Sequence, residues 1–328
     1  MLEQYKNKRV LITGGMGMIG SSIAHRLVEL GAEVRIVDAR IKPYGANDFN
    51  IKDVKEKINL YQADIRDKEK MTPLVEWSEI IFNLAGQVSH NDSIKNPFLD
   101  TEINYIGHLN VLEIAKKVNP LIKILYSGTR MQYGKVEKIP VAEDHPQRPL
   151  SPYALNKSAA ENLYLFYHRI YRIPVVIFRI TNPYGPRGQV KHHKYCIVNW
   201  FTRLAIENKG ITIFGDGSQV RDYLFIDNLT DAFVKAGIEP AADGEVFNLG
   251  SGEGTTFKEM AKTIVDIAGS GSITHVPWPD HYINVETGDF VADISKIKKI
   301  IDWKPEISLK EGIRRTVEFY RKYMKFYL

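Results

Sequence analysis

The chain of 328 residues contains a single cysteine, Cys196. No disulfide can therefore form within it, and a cysteine-based zinc site is excluded, which is typical of a protein from a reducing compartment. The nine histidines are scattered, and the one adjacent pair, His192–His193, consists of neighbours whose side chains point in different directions. We therefore predict no metal site and expect a cytoplasmic protein.

Long apolar runs and blocks of one charge are also missing. No apolar segment reaches the roughly 18 residues that a membrane-spanning helix needs. The first nine residues, MLEQYKNKR, are polar and do not resemble a signal peptide. The net charge is only +5, from 44 basic and 39 acidic residues, and no run of five or more basic residues occurs. We therefore expect that the protein binds neither a membrane nor a nucleic acid.

Apolar segments of strand length alternate with segments of helical spacing through the first half of the chain. Between the fourth and fifth strands, residues 98–118 are predicted as one long helix. Near-continuous apolar strands that alternate with helices indicate a parallel sheet covered on both faces. The predicted fold class is therefore α/β, a Rossmann-type doubly wound parallel sheet. The predicted strands are 9–13, 33–37, 59–64, 80–84, 122–127 and 175–180.

The pattern changes after residue 181. Proline and glycine cluster at 183–188, and short strands then alternate with helices. We predict a cofactor-binding Rossmann domain at 1–181 and a smaller C-terminal α/β lobe for substrate at 182–328, with some chain crossing back. A cleft between the two, at the carboxyl ends of the strands, is the expected ligand site. The strands assigned to the lobe are 211–213 and 246–249, and its helices are 195–208, 227–237 and 256–268.

The first strand runs into the sequence GGMGMIG, in which Gly14, Gly17 and Gly20 have the spacing G-x-x-G-x-x-G. Gly14 permits a tight turn, Gly17 lets a pyrophosphate approach the backbone, and Gly20 lets the following helix pack closely. That helix offers N–H groups and a partial positive charge to phosphates. A glycine pattern alone is weak, but its position between a strand and a helix predicts a dinucleotide site.

Asp38 ends the next strand and selects the dinucleotide. A carboxylate there accepts hydrogen bonds from ribose hydroxyls and repels a 2′-phosphate, so we predict NAD rather than NADP. Arg40 keeps the NADP alternative open, because an arginine can pair with that phosphate.

Tyr153 and Lys157 lie one turn apart on a predicted helix over 153–171. A phenol titrates near pH 10 and is a poor base at neutral pH, but a neighbouring ammonium stabilises the phenolate and lowers its pKa. Tyr153 could then exchange a proton with a sugar hydroxyl during hydride transfer to a nicotinamide. The spacing Y-x-x-x-K is common, so this pair predicts a catalytic site only together with the glycine turn.

Several further motifs follow in a fixed order along nearly the whole chain. With them, the chain resembles the extended short-chain dehydrogenases/reductases that modify nucleotide sugars. The motifs are Asp64-Ile65-Arg66, Asn83-Leu84-Ala85-Gly86, Ser127-Gly128-Thr129, the segment Arg179 to Pro186, Gly215-Asp216-Gly217 with Gln219, Arg221 and Asp222, and Phe247-Asn248-Leu249-Gly250.

The resemblance implies roles for individual residues. Thr129, Tyr153 and Lys157 would be catalytic, and Thr129 would hydrogen-bond the reacting sugar oxygen. Asn104 would support the site from behind. Asn182 and Arg221 would contact the substrate diphosphate, to which a guanidinium fork is well suited. Lys157 would also hold the nicotinamide ribose. The residues assigned to NAD are Gly14, Gly17, Met18, Ile19, Gly20, Asp38, Asp64, Ile65, Leu84, Ala85, Gly86, Tyr153 and Lys157.

The residues after Thr129 bear on the reaction. Dehydratases and decarboxylases of the family carry an acidic residue there, because a 4,6-dehydratase must deprotonate C5 and protonate the leaving C6 hydroxyl. Here the positions hold Arg130 and Met131, which cannot act as that acid. The resemblance therefore implies an NAD-dependent epimerase, most simply acting at C4 of a UDP-hexose. The alternatives are a dehydratase, decarboxylase or reductase of the same family, or a non-catalytic NAD-binding scaffold.

One position departs from the family pattern. Near the C-terminus the family often shows R-x-G-D, whose arginine binds the diphosphate, whereas this chain has Glu286 in that place. A carboxylate would repel phosphate, so we hypothesise that the segment containing Lys191, His192 and His193 supplies the missing charge.

The helices 98–118 and 153–171 carry apolar residues on more than one face, such as Ile106 and Phe166. In the family the two helices pair across a homodimer. The resemblance therefore implies a homodimer, and the alternative is a face buried within the monomer.

Overall fold

The computed structural model describes residues 2–279 and 286–328. Its strands are β1 (Arg9–Thr13), β2 (Glu33–Asp38), β3 (Ile58–Gln62), β4 (Ile80–Asn83), β5 (Lys123–Thr129), β6 (Val175–Ile180), β7 (Asn182–Tyr184), β8 (Gly210–Phe214), β9 (Val220–Arg221), β10 (Tyr223–Phe225), β11 (Glu245–Leu249), β12 (Thr255–Thr256) and β13 (Ser272–Val276). Seven of them form a parallel sheet in the order β11-β6-β5-β4-β1-β2-β3. The chain crosses over after β3 to place β4 beside β1, so the doubly wound prediction is confirmed.

The inner strands of the central sheet are buried on both faces because they are apolar at nearly every position. Val10 and Ile12 of β1 pack into one hydrophobic cluster, whereas Leu11 between them packs into the other. This division follows from the alternation of side chains along a strand. All six residues of β6 are buried, which explains why the sequence shows continuous rather than alternating hydrophobicity.

The helices are α1 (Met18–Glu29), α2 (Lys68–Trp77), α3 (His90–Lys95), α4 (Pro97–Thr101), α5 (Gly107–Val118), α6 (Pro152–Tyr171), α7 (Ile197–Ile206), α8 (Ile226–Ile238), α9 (Phe257–Ala268), α10 (Ser295–Ile301) and α11 (Leu309–Tyr323). The predicted helix 98–118 is α4 joined to α5 through one π-helical turn, Glu102–Ile106. Within the described residues, none of the helices combines the length and the hydrophobicity needed to cross a bilayer.

Helix α6 begins at a well-defined position. The Ser151 hydroxyl accepts a hydrogen bond from the Ala154 amide at 3.2 Å, and Pro152 occupies the first helical position. A serine cap followed by proline fixes where a helix starts. Tyr153 and Lys157 therefore enter the site from the first two turns of α6.

The C-terminal part of the chain contributes both to the smaller lobe and to the central sheet with its covering helices. Strands β7, β8, β9, β10, β12 and β13 form three two-stranded sheets. Strand β11, however, pairs with β6 as an edge of the central sheet, and α8 packs against α1. The assignment of the strand at 246–249 to the smaller lobe was wrong, because its apolar residues are buried against β6. The boundary at 181/182 remains a prediction, with β11 and α8 as the chain that crosses back.

Candidate active site

A cavity of 800 Å³ lies at the carboxyl ends of the central strands, between the sheet and the smaller lobe. All of the residues predicted to contact cofactor or substrate line it. Its walls come from the glycine turn, the ends of β2, β4 and β5, the start of α6, and Asn182 and Arg221 from the second half of the chain.

The glycine turn is crowded where the sequence predicts crowding. Gly14 has φ of +65°, and a Cβ there would lie 3.0 Å from the backbone of Ala85. A Cβ on Gly20 would lie 2.5 Å from the Gly14 carbonyl oxygen, so only glycine lets α1 approach the turn. A Cβ on Gly17 would meet nothing within the protein closer than 3.4 Å. Gly17 therefore keeps the cavity side of the turn open rather than relieving an internal clash.

Asp38 lies at the far side of the turn. Its carboxylate accepts hydrogen bonds from the amides of Met16 at 3.0 Å and Arg40 at 2.8 Å. Burial raises the pKa of Asp38, and the two amide bonds oppose that shift. The Arg40 guanidinium makes two bonds of 2.9 Å to Asp48 and does not line the cavity. Arg40 is therefore not placed to bind a 2′-phosphate in this structure, so it gives no reason to expect NADP.

Asp64 is held by its neighbour. Arg66 donates to Asp64 through Nε at 3.0 Å and through a second nitrogen at 2.7 Å, and it also bonds Glu102. Partial burial opposes ionisation of Asp64, but the bonds from Arg66 prevail and lower its pKa. The pair fixes the segment that carries Asp64 and Ile65 against the cavity.

Tyr153 and Thr129 both line the cavity. Burial raises the pKa of Tyr153 well above its usual value, Asp100 adds to the rise, and the Thr129 hydroxyl opposes it. The predicted lowering of that pKa by Lys157 was wrong for this structure. The reason is that the whole site is desolvated, and a phenolate is penalised there more than Thr129 stabilises it.

Lys157 is deeply buried with few charged neighbours. Its ammonium donates to the Ser127 carbonyl at 2.9 Å and lies 4.9 Å from the ring centre of Tyr126. Burial lowers the pKa of Lys157 to about 8, and the Asp100 carboxylate limits the shift. The ammonium of Lys157 is thus still mostly charged at neutral pH, although its pKa is lowered, and it lies at the end of β5.

Asp100 is a functional candidate that sequence reasoning missed. It is fully buried and accepts hydrogen bonds from Asn104 at 3.0 Å and Asn156 at 2.8 Å. Asn104 lies in the π-helical turn and also donates to the Gln87 carbonyl at 2.9 Å, so it supports the site from behind. The available signal was the spacing of Asp100 and Asn104, which places two polar residues on one face of an otherwise apolar helix.

A buried network behind Thr129 was also missed. The Thr129 amide donates to Gln132 Oε1 at 2.9 Å, and Gln132 Nε2 donates to Glu161 at 2.7 Å. Glu161 in turn forms two bonds with Arg179, at 2.6 and 3.0 Å. The side chains of Glu161 and Arg179 are only 2% and 7% exposed. The network ties Thr129 to α6 and β6.

The end of the cavity lined by Asn182 and Arg221 is internally neutralised. Arg221 forms an ion pair with Glu286 and donates to the Gly288 carbonyl at 2.8 Å. The side-chain amide of Asn182 donates a hydrogen bond of 2.9 Å to the Asp222 backbone carbonyl. Glu286, which replaces the expected arginine, is therefore the counter-ion of Arg221.

The hypothesis that the segment at 191–193 supplies the positive charge missing at position 286 fits the structure only in part. His193 lines the cavity, whereas Lys191 is exposed and does not. Lys194 lines it instead, but its ammonium is paired with Asp92 at 2.8 Å. The placement of Lys191 was wrong, because the loop turns its side chain toward solvent.

A doubly wound sheet with a glycine turn and a Tyr/Lys pair over one cavity defines a short-chain dehydrogenase/reductase. The family described as GDP-mannose 4,6 dehydratase matches residues 11–316. The chain belongs to this extended family of NAD-dependent nucleotide-sugar epimerases and dehydratases.

Known relatives span almost the whole chain. A UDP-glucose 4-epimerase of Mycolicibacterium smegmatis is 33% identical over 95% of this chain and 98% of its own length. The UDP-glucose 4-epimerase structure from Thermotoga maritima with UDP-glucose has a TM-score of 0.88 at 32% identity, covering 96% and 99%. The one from Thermus thermophilus with NAD has a TM-score of 0.85 at 30% identity, covering 95% and 99%. Dehydratases and a decarboxylase are also among the relatives.

Proposed function

We propose that this protein is an NAD-dependent nucleotide-sugar epimerase that inverts C4 of a UDP-hexose through a transient keto-sugar. The observation that carries the proposal is that Thr129 and Tyr153 line the same cavity wall, in which Thr129 is followed by Arg130 and Met131 rather than by an acid. The family relationship supports the redox chemistry. The relatives that are UDP-glucose 4-epimerases support the sugar and the base.

The cavity fits NAD. The open face of Gly17 at the start of α1 suits a pyrophosphate, and Asp38 suits the adenosine ribose. Asp64 and Ile65 would face the adenine, and Lys157 would hold the nicotinamide ribose. The chemistry that NAD supplies when bound is reversible hydride transfer.

The chain's own residues handle the proton. Tyr153 exchanges it with the reacting hydroxyl, and Thr129 holds the oxygen by a second hydrogen bond. Lys157, one helical turn from Tyr153, adds a buried positive charge to the same wall. Catalysis therefore requires that substrate and cofactor enter the desolvated pocket around these three side chains.

Among the described residues that line the cavity, no carboxyl group is free to act as the acid that dehydration requires. The described residues that line the cavity include three carboxylates, Asp38, Asp64 and Glu286. Asp38 lies at the glycine turn, Asp64 is bonded to Arg66, and Glu286 is paired with Arg221. None adjoins Thr129 in sequence. This arrangement favours epimerisation over elimination of water.

The experiment is to incubate the purified protein with UDP-, GDP-, CDP- and dTDP-sugars without added cofactor and to analyse the products by NMR. We expect UDP-hexose to be converted into its C4 epimer and NAD to be released when the protein is denatured. A 4-keto-6-deoxy product would establish a dehydratase instead. A protein that holds NAD but converts no sugar would favour the scaffold alternative.

We also propose a homodimer through the helices near 98–118 and 153–171. Phe98 is 81% exposed, and Ile106, Leu155, Phe166 and Ile170 on the same two helical segments are exposed as well. Exposed apolar side chains on adjacent helices are typical of an interface. Sedimentation equilibrium should give twice the chain mass of 37.4 kDa, and a monomer at micromolar concentration would contradict the proposal.

A further inference from the structure

One peptide unit of the glycine turn, Met16–Gly17, is held from outside the cavity. The Met16 carbonyl accepts a hydrogen bond of 2.8 Å from the side-chain amide of Asn50 and one of 3.2 Å from the Asn47 backbone amide. The Gly17 amide of the same peptide unit donates to the Gly14 carbonyl at 3.2 Å. Because a peptide unit is planar, holding its carbonyl also fixes the Gly17 N–H and the open face of that glycine.

Asn50 is buried and can bond in only one orientation. It is 1% exposed and lies in a short 3-10 turn, Asp48–Ile51. Besides the Met16 carbonyl, its Nδ2 donates to the Arg187 carbonyl at 3.0 Å, and its Oδ1 accepts from the Tyr327 hydroxyl at 2.6 Å. The two carbonyls can only accept hydrogen bonds, so the amide nitrogen must face them and the oxygen must face Tyr327.

Tyr327, which follows α11, is fixed by its own packing. It is 3% exposed, and its ring centre lies 5.8 Å from that of Phe49. The preceding carbonyl, of Phe326, accepts a hydrogen bond of 2.9 Å from the Asn47 side chain. Burial raises the pKa of the Tyr327 phenol, so its oxygen keeps the proton that it donates. Tyr327 is therefore a fixed donor that orients the Asn50 amide toward the glycine turn.

The opposite side of Met16 is held by a residue of the cavity. The Met16 amide, which belongs to the preceding peptide unit, donates to the Asp38 carboxylate at 3.0 Å. Asp38 lines the cavity, whereas Asn50 and Tyr327 do not. Asn50 can therefore influence a ligand only through the backbone of the turn.

We propose that Asn50 and Tyr327 are positioning residues for the cofactor, which hold the Met16–Gly17 peptide in the orientation that accepts the pyrophosphate of NAD. Without them the turn would populate several orientations. The apparent affinity for NAD would then fall by the fraction of molecules that stays competent to bind. The inference concerns the binding of NAD and does not depend on which sugar the protein converts.

The test measures dissociation constants at 25 °C. Purified protein is loaded with NADH and diluted, the fluorescence of bound NADH is recorded, and ADP-ribose is then titrated as a competitor. ADP-ribose has the pyrophosphate but lacks the nicotinamide. We expect both ligands to bind about tenfold more weakly to Asn50→Leu and about three- to fivefold more weakly to Tyr327→Phe, the range of one or two net hydrogen bonds.

Tyr323→Phe is the matched control. The Tyr323 ring packs against the same Phe49, with 5.1 Å between ring centres, but the bond to Asn50 Oδ1 comes from Tyr327. Its loss of a hydroxyl should leave both affinities within about 1.5-fold of the wild type. Thermal unfolding without ligand checks that each variant folds. Tyr327→Phe, which removes one oxygen from a packed ring, keeps the test decisive if Asn50→Leu does not fold.

The outcomes are distinct. A lower melting temperature with unchanged affinities would make the role of the pair merely structural and overturn the proposal. Weaker NADH binding with unchanged ADP-ribose binding would place the effect at the nicotinamide, which also contradicts it. If both ligands are weakened as expected but no sugar is epimerised, this inference stands and the proposed function is wrong. An active epimerase whose two variants bind like the wild type would show the reverse.

Discussion

Replacing Tyr153 with phenylalanine should lower kcat by about 10²- to 10⁴-fold, the usual contribution of a positioned proton-transfer group. The change removes the phenol oxygen from the wall of the cavity and keeps the ring. NAD content should be preserved, because the glycine turn, Asp38 and Lys157 are unchanged. Steady-state turnover and the NAD released on denaturation provide the two measurements.

Tyr171→Phe is the matched control. Tyr171 ends the same helix, α6, is 40% exposed and does not line the cavity. Its loss of a hydroxyl should leave kcat and KM within twofold. If Tyr153→Phe kept kcat within tenfold of the wild type, another group would be the proton carrier. If it lost NAD as well, the effect would be one of binding rather than of proton transfer.

The parts of the site that were predictable are those encoded in short segments. The glycine spacing, Asp38 after β2 and the Tyr153–Lys157 turn each depend on neighbours within one strand, turn or helix. Strand β1 was predicted at its observed bounds, Arg9–Thr13, because its apolar run ends at the glycine turn. The topology of the sheet then brings these segments to one edge.

Interactions between distant segments were not predictable in the same way. Strand β11 could have formed a sheet of its own, and only its pairing with β6 places it in the central sheet. Glu286 implied repulsion of phosphate when read alone, but in the fold it neutralises Arg221. The pKa of Tyr153 depends on the burial of the whole cavity, which no local spacing reveals.

The network behind Thr129 illustrates the same limit. Gln132, Glu161 and Arg179 lie on three elements, and none of them carries a local signal for its partners. Arg179 was recognised only as part of a family segment. In the structure it donates to the Tyr133 hydroxyl and the Glu143 carbonyl, at 2.7 and 2.8 Å, in addition to its two bonds to Glu161. Its guanidinium thus holds three segments together beneath Thr129.

Replacing Arg179 with methionine should lower the free energy of unfolding by about 3–5 kcal/mol, because it leaves Glu161 buried without its cation. Urea unfolding at neutral pH measures the effect.

Two further variants distinguish the missing charge partner from a simple loss of packing. Adding Glu161→Gln to Arg179→Met removes the buried charge and should recover more than half of the lost stability, since the two residues are coupled. Arg169→Met, at an exposed position of α6, should change stability by no more than about 0.5 kcal/mol. If the double variant were as unstable as the single one, the contribution of Arg179 would come from its packing and its bonds to Tyr133 and Glu143. Glu161 would then be able to carry its charge without it.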